Sequence, residues 1–205
     1  MKLKFYKIPL FVGLQFLYIA CGKPCYEKNY VFNVYWTFVP ISDSIKVGDT
    51  LWLTSTVYKP MTDTISKKQI SYNNADDWGT TLIISDINKF TDSKRGAIDS
   101  FTYVSVKGSI YSDSSIDTNV AKQVFFQETS SDYELRVGLV ALKKGTYILG
   151  LSDNPALYQK NSKGCGISKL IILNQNADKH LYLFENKWGL LSSYDAAHNY
   201  CVKVY

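Results

Sequence analysis

From Tyr30 the chain alternates, with Tyr30, Phe32, Val34, Trp36 and Phe38 apolar at every second position. A period of two predicts a strand with one buried face, and Pro40 ends it because proline has no N–H for a ladder. The pattern returns after a turn at Gly48-Asp49, where Leu51, Leu53, Ser55 and Val57 alternate with Trp52, Thr54 and Thr56. A second strand is predicted there. Residues 60 to 78 are polar and contain Pro60, Asn73, Asn74, Asp76 and Asp77, so they read as a long connection or a weak edge strand. Further strands are predicted at GTTLIISDI, SFTYVSVKGSIY, AKQVFFQET, DYELRVGLVAL, GTYILGL and SKLIILN, with YCVKVY closing the chain. NADKHLYLFENKWG fits two patterns: a helix through Leu181, Phe184 and Trp188, or a strand through His180, Tyr182 and Phe184. Periodicity leaves residues 176–188 open between them.

Turn residues separate nearly all these strands at the spacing of a β-sandwich. The expected fold is therefore all-β: one antiparallel β-sandwich, with room left for one short helix near the C-terminus. Composition agrees, since 16 Tyr, 10 Phe and 4 Trp suit a pleated, half-buried surface. A length of 205 residues fits one such domain and leaves little room for a second core. Apolar residues make up 46% and charged residues 20%, which excludes a disordered chain.

The first twenty residues follow different rules. Lys2, Lys4 and Lys7 precede IPLFVGLQFLYIA, an apolar run broken only by Pro9, Gly13 and Gln15 and ending at Ala20. That is the layout of an export signal, and it is shorter than the roughly 20 apolar residues a membrane span needs. The formal charge is +5, and removing the three lysines with the leader brings it to +2. The remaining Lys and Arg form no run or stripe, so a nucleic-acid partner is not expected.

A positive start, a short apolar run, a small residue and then Cys21 resemble the leader of a bacterial lipoprotein. The resemblance implies that Cys21 becomes the mature N-terminus and carries acyl chains such as palmitate; two or more chains hold a protein stably on a membrane. A secretory cut after Gly22, releasing a soluble product, is the alternative. The expected organisation is a signal peptide over 1–20, a lipid-anchor spacer over 21–29 and a β-sandwich over 30–205. VGDTLWLTS and KKGTYILGLS are similar to phrases of immunoglobulin-like extracellular modules, the second carrying a tyrosine corner in which Tyr147 bonds backbone upstream. With the leader, they make the chain resemble the β-sandwich lipoproteins common in Bacteroidota. That resemblance implies an address in the bacterial cell envelope, facing the periplasm or the outside, and a fold; it brings no catalytic residues with it.

With Cys21 acylated, Cys25, Cys165 and Cys201 remain, and any one of three pairings is open. The favoured one is Cys165 with Cys201, because the GCG turn and the last strand can meet in a sandwich; such a bridge would stabilise by roughly 3 to 4 kcal/mol. Buried thiols are the alternative. No CxxC or HxxxH spacing appears, so neither a metal nor another cofactor is expected. Ser193, Asp195 and His198 lie close in sequence, but no GxSxG elbow accompanies them and the segment reads as a polar loop. Trp52 shares its face with Thr50, Thr54 and Thr56, while Trp78 precedes a glycine in a predicted turn. The two are candidates for an exposed aromatic ligand platform. The expectation is a non-enzymatic, membrane-anchored binding or accessory module with a protein or glycan partner; the alternative is a carbohydrate-binding module.

Overall fold

The structure, a computed structural model, describes residues 29–76, 78–112, 119–159, 168–177 and 179–205, with the backbone alone at 76 and 155–159. The leader, Cys21, Cys25 and Cys165 lie outside the described residues. In chain order the strands are β1 (Val31–Val39), β2 (Ser44–Ile45), β3 (Thr50–Tyr58), β4 (Met61–Thr62), β5 (Gln69–Ile70), β6 (Ala75–Asp76), β7 (Gly79–Asp86) and β8 (Phe101–Lys107). They continue as β9 (Ser109–Tyr111), β10 (Ala121–Phe125), β11 (Gln127–Glu128), β12 (Asp132–Ala141), β13 (Gly145–Leu151), β14 (Asn154–Gln159) and β15 (Ser168–Asn174). Helices α1 (Tyr182–Trp188) and α2 (Ser193–His198) then precede β16 (Asn199–Val204).

Two sheets sandwich one core. The larger runs β11-β12-β3-β1-β15-β14-β6, with β8 also paired to β12; the smaller runs β2-β16-β13-β7-β10-β9. Neighbours are antiparallel except β1 with β15 and β2 with β16, which are parallel, so the expected all-antiparallel sandwich is corrected at two pairs. The core forms because the inward positions of the alternating strands are apolar. Phe32, Val34, Trp36 and Phe38 of β1 and Leu51 and Leu53 of β3 are buried with Leu82, Ile84, Leu149, Tyr200 and Val202 of the smaller sheet. Each such side chain contributes about 1.5–3 kcal/mol on leaving water. The Tyr147 hydroxyl donates to the Lys143 carbonyl at 3.0 Å, the upstream backbone bond expected of it.

Two predicted strands each divide in two. SFTYVSVKGSIY leaves the larger sheet as β8 and enters the smaller as β9, turning at Gly108 with φ +75°. A Cβ there would collide with the Phe125 carbonyl oxygen, so the corner requires glycine. Beside it β10 passes from the smaller sheet to β11 in the larger, with the Phe126 N–H donating to the Trp78 carbonyl at 2.9 Å.

Residues 182–188 resolve as helix rather than strand. Leu181 and Phe184, three apart, bury together against Ile87, Ile148 and Cys201, and the Trp188 indole N–H donates to the Ile87 carbonyl at 2.7 Å. Gly189, at φ +89°, ends the helix. The segment read as a polar loop is α2. The Ser192 side chain accepts the Asp195 N–H at 3.1 Å and its hydroxyl meets the Asp195 carboxylate at 2.6 Å, a cap that favours a helix start. Among the described residues no helix is long and apolar enough to cross a membrane.

Candidate functional site

The alternation that buries Phe32, Val34, Trp36 and Phe38 turns Asn33, Tyr35, Thr37 and Val39 to the outer face of the larger sheet. Register places Val104, Gly138, Trp52 and Val39 side by side across β8, β12, β3 and β1. The Trp52 ring lies across Gly138, where a Cβ would come within 2.9 Å of the ring and of Thr50. The Arg136 guanidinium stands 5.0 Å from the ring centroid. Trp52 is therefore half-buried, its ring covering bare glycine backbone and bearing a cation.

Beyond that row, the sheet opens. The β1–β3 ladder covers only Thr37–Val39 against Thr54–Trp52, although both strands continue toward Val31 and Tyr58. Along β1 the Tyr30 and Trp36 carbonyls accept from β15 and its flank, so even-numbered residues bond to β15 and odd-numbered ones face β3. The odd-numbered groups find substitutes. The Val31 N–H donates to Asp63 Oδ1 at 2.9 Å and its carbonyl accepts from the Thr64 N–H at 2.7 Å, while the Tyr35 carbonyl accepts from the Ser55 hydroxyl at 2.7 Å. The Asn33 backbone and the Tyr35 N–H point into the gap.

The gap is a cavity of about 440 Å³. Phe32, Val57 and Met61, which belong to the core, form its floor; Asn33, Thr56, Thr62 and Thr64 supply polar groups around it. Tyr35 and Tyr58 flank it and are 49% and 73% exposed. Its far end is bounded by β4 and the turn that follows it to Lys67, pinned through Asp63. That carboxylate also accepts the Ser66 N–H at 2.7 Å, and its bonds from Ser66 first and Val31 second hold its pKa down to about 2. Lys67, in the left-handed region at φ 61°, lines the same end and donates its N–H to the Asp63 carbonyl. An apolar floor under donors and acceptors of both kinds suits non-covalent recognition of a small polar molecule.

The residues singled out from the sequence fall elsewhere. Trp78 is 3% exposed and stacks on Tyr133 with centroids 4.0 Å apart and planes within 7°. It belongs to an aromatic core cluster with Phe32 and Tyr72, so it does not share a surface with Trp52. Its indole N–H has no hydrogen-bond partner among the described residues. Cys201 is a free thiol, fully buried beneath α1, and burial pushes its pKa up to about 12. The expected bridge to Cys165 is thus not formed at Cys201, and Cys165, like Cys21, lies outside the described residues. Ser193, Asp195 and His198 are not brought together. Asp195 caps α2 with Ser192, whereas His198 Nε2 lies 3.2 Å from Asp153 Oδ1, and its Nδ1 lies 2.6 Å from the Tyr194 carbonyl. Asp153 in turn accepts the Ile172 N–H at 2.9 Å, so the pair ties β15 to the segment before β16. Among the described residues no three His, Cys, Asp or Glu side chains gather to hold a metal ion.

Fold and face together define an all-β, sandwich-like domain with one outer sheet surface open around a cavity. No protein-family model matches the chain, and no curated protein matches it. Among solved structures it is similar to the human F-spondin reeler domain. One crystal structure of that domain, fragment 1, covers 87% of this chain and 92% of its own at 13% identity and a TM-score of 0.39. Another, fragment 2, covers 65% and 83% at 16% identity and a TM-score of 0.35. Likeness at that level carries no argument about this chain.

Proposed function

We propose that the protein is a lipid-anchored, extracytoplasmic binding module of the bacterial envelope, with an immunoglobulin-like sandwich that presents the open face of its larger sheet to a ligand. The observation that carries this reading is the interruption of the β1–β3 ladder beside two exposed tyrosines, over a floor of core side chains. A sandwich built only for stability gains by closing that ladder. The immunoglobulin-like class is supported by the Tyr147 corner bond. Anchoring is supported by the leader that ends at Cys21. A non-enzymatic role is supported by the structural employment of His198, whose ring links Tyr194 to Asp153.

Anchoring is tested by substituting Cys21→Ser and fractionating cells. The account predicts transfer of the protein from the membrane to the soluble fraction; a variant that still sediments with membranes contradicts attachment through Cys21.

A further inference from the structure

We propose that the gap between β1 and β3 is a saccharide-binding site, with Tyr35 and Tyr58 as the flanking rings and Asn33 and Thr56 as polar contacts. The inference rests on the binding-module reading above and names the ligand class for its face.

Shape comes first. The opening is bounded at one end by the Thr37–Thr54 pair and at the other by Asp63 and Thr64 bonded to Val31. Between Val31 and Thr37 β1 advances about 20 Å at 3.3 Å per residue. A peptide added as a strand needs an edge open along its length, and here the protein's own chain closes both ends. The occupant is therefore a compact molecule that enters from the face. A volume of about 440 Å³ lies within the range of small-molecule pockets.

Chemistry narrows the class. The Asn33 carbonyl accepts and the Asn33 and Tyr35 N–H groups donate, while the Thr56 and Thr62 hydroxyls and the Asn33 carboxamide do both. Such a mixture matches a ligand rich in hydroxyls, each of which donates and accepts. An anion is disfavoured because, among the described residues, Lys67 is the one cationic side chain lining the cavity, and the Asp63 carboxylate is held at the same end by the Val31 N–H. A purely apolar ligand would leave the Asn33 backbone groups and the Tyr35 N–H buried without partners, at a cost of about 1–3 kcal/mol each. A sugar ring satisfies both demands, since its C–H faces suit aromatic rings and the apolar floor while its rim of hydroxyls meets the polar groups. Trp52 is outside this set, its ring spent on Gly138 and Arg136.

The test uses the full chain in detergent on a printed glycan array, followed by gel electrophoresis through xylan, mannan, β-glucan, starch and mucin. Tyr58→Ala and Asn33→Ala are compared with Trp52→Ala. Tyr58 and Asn33 are exposed, so thermal melting should show both variants folded. The expected result is binding to at least one glycan, weakened by about tenfold or more in Tyr58→Ala and Asn33→Ala, and within about twofold of wild type in Trp52→Ala. Two results overturn the site: no glycan bound by the folded chain, or binding that survives Tyr58→Ala and Asn33→Ala. Binding lost only in Trp52→Ala would also sink the gap, moving the site to the Val104–Val39 row while leaving a binding module. The Cys21→Ser fractionation is independent of all these outcomes, so failure of the sugar site and failure of the anchored module remain distinguishable.

Discussion

The outer faces of the two sheets have been treated in opposite ways. On the smaller sheet, β13 and β16 are buried on both sides: Tyr147, Leu149, Tyr200 and Val202 face the core, while Ile148 and Cys201 face outward under α1. Leu181, Phe184 and the turn at Ile87 form a second apolar cluster over them, and Phe90 meets Phe184 edge-on at 4.7 Å. On the larger sheet Tyr35, Val39 and Val104 remain 46–49% exposed, and β1 and β3 part over the core. One face carries extra packing; the other gives up ladder bonds and packing. The difference is what the proposed binding role would require, because a surface that must receive a ligand cannot be covered by the protein's own helix.

Mutation should expose this asymmetry. The largest effect is expected from Phe184→Ala, which empties the second cluster and should cost about 3–5 kcal/mol in denaturant unfolding. If the cost is under about 1 kcal/mol, α1 is not a packed layer and the contrast between faces weakens. On the open face Gly138→Val should cost about 1–3 kcal/mol, since its side chain must displace Trp52 and Thr50. The same change in Trp52→Ala, where the ring is gone, should cost less, and an unchanged cost would show that Trp52 does not rest on Gly138.

Asp63 supplies a pH-dependent contrast. Its folded pKa is depressed to about 2, so its contribution is fully present above the ordinary carboxylate range near pH 4 and is lost as pH falls through about 2. Asp63→Asn should therefore melt below wild type at neutral pH, and the gap between the two melting temperatures should close by about pH 2. A difference that persists in acid would mean the charge is not what pins the loop. Cys201 should resist alkylation in the native chain and react once unfolded, as its burial and raised pKa require. The smallest stability effect belongs to Tyr58→Ala, expected within about 0.5 kcal/mol because the ring is largely in solvent.

Much of the sandwich was legible in the sequence because single-face burial writes itself as a period of two. Phe32 to Phe38 and Leu51 to Val57 lie inward as their alternation predicts. The same rule fails where both faces are buried or the strand is short. GTYILGL loses its alternation under α1, and β14 begins at Asn154-Pro155 with little apolar pattern. Trp78 was misplaced because a tryptophan before a glycine looks like a turn locally, whereas its partner Tyr133 is distant in sequence. His198 finds Asp153 rather than the nearby Asp195 for the same reason. The gap is the least legible feature: β1 and β3 keep perfect alternation through it, and only the end of their register at Thr37–Thr54 reveals it. The polar-loop reading of 193–198 passed over one local signal, Ser192 followed three residues later by Asp195, the pair that caps α2.

Amide hydrogen exchange along β1 tests the central claim most directly. If the strands part, protection alternates: the Phe32, Val34 and Trp36 amides, bonded to β15, exchange slowly, and the Asn33 and Tyr35 amides, facing the gap, exchange fast. The Val31 amide, held by Asp63, and the Thr37 amide, inside the ladder, return to slow exchange. Uniformly slow exchange from Val31 to Val39 would mean a closed ladder, and with it the loss of the open site.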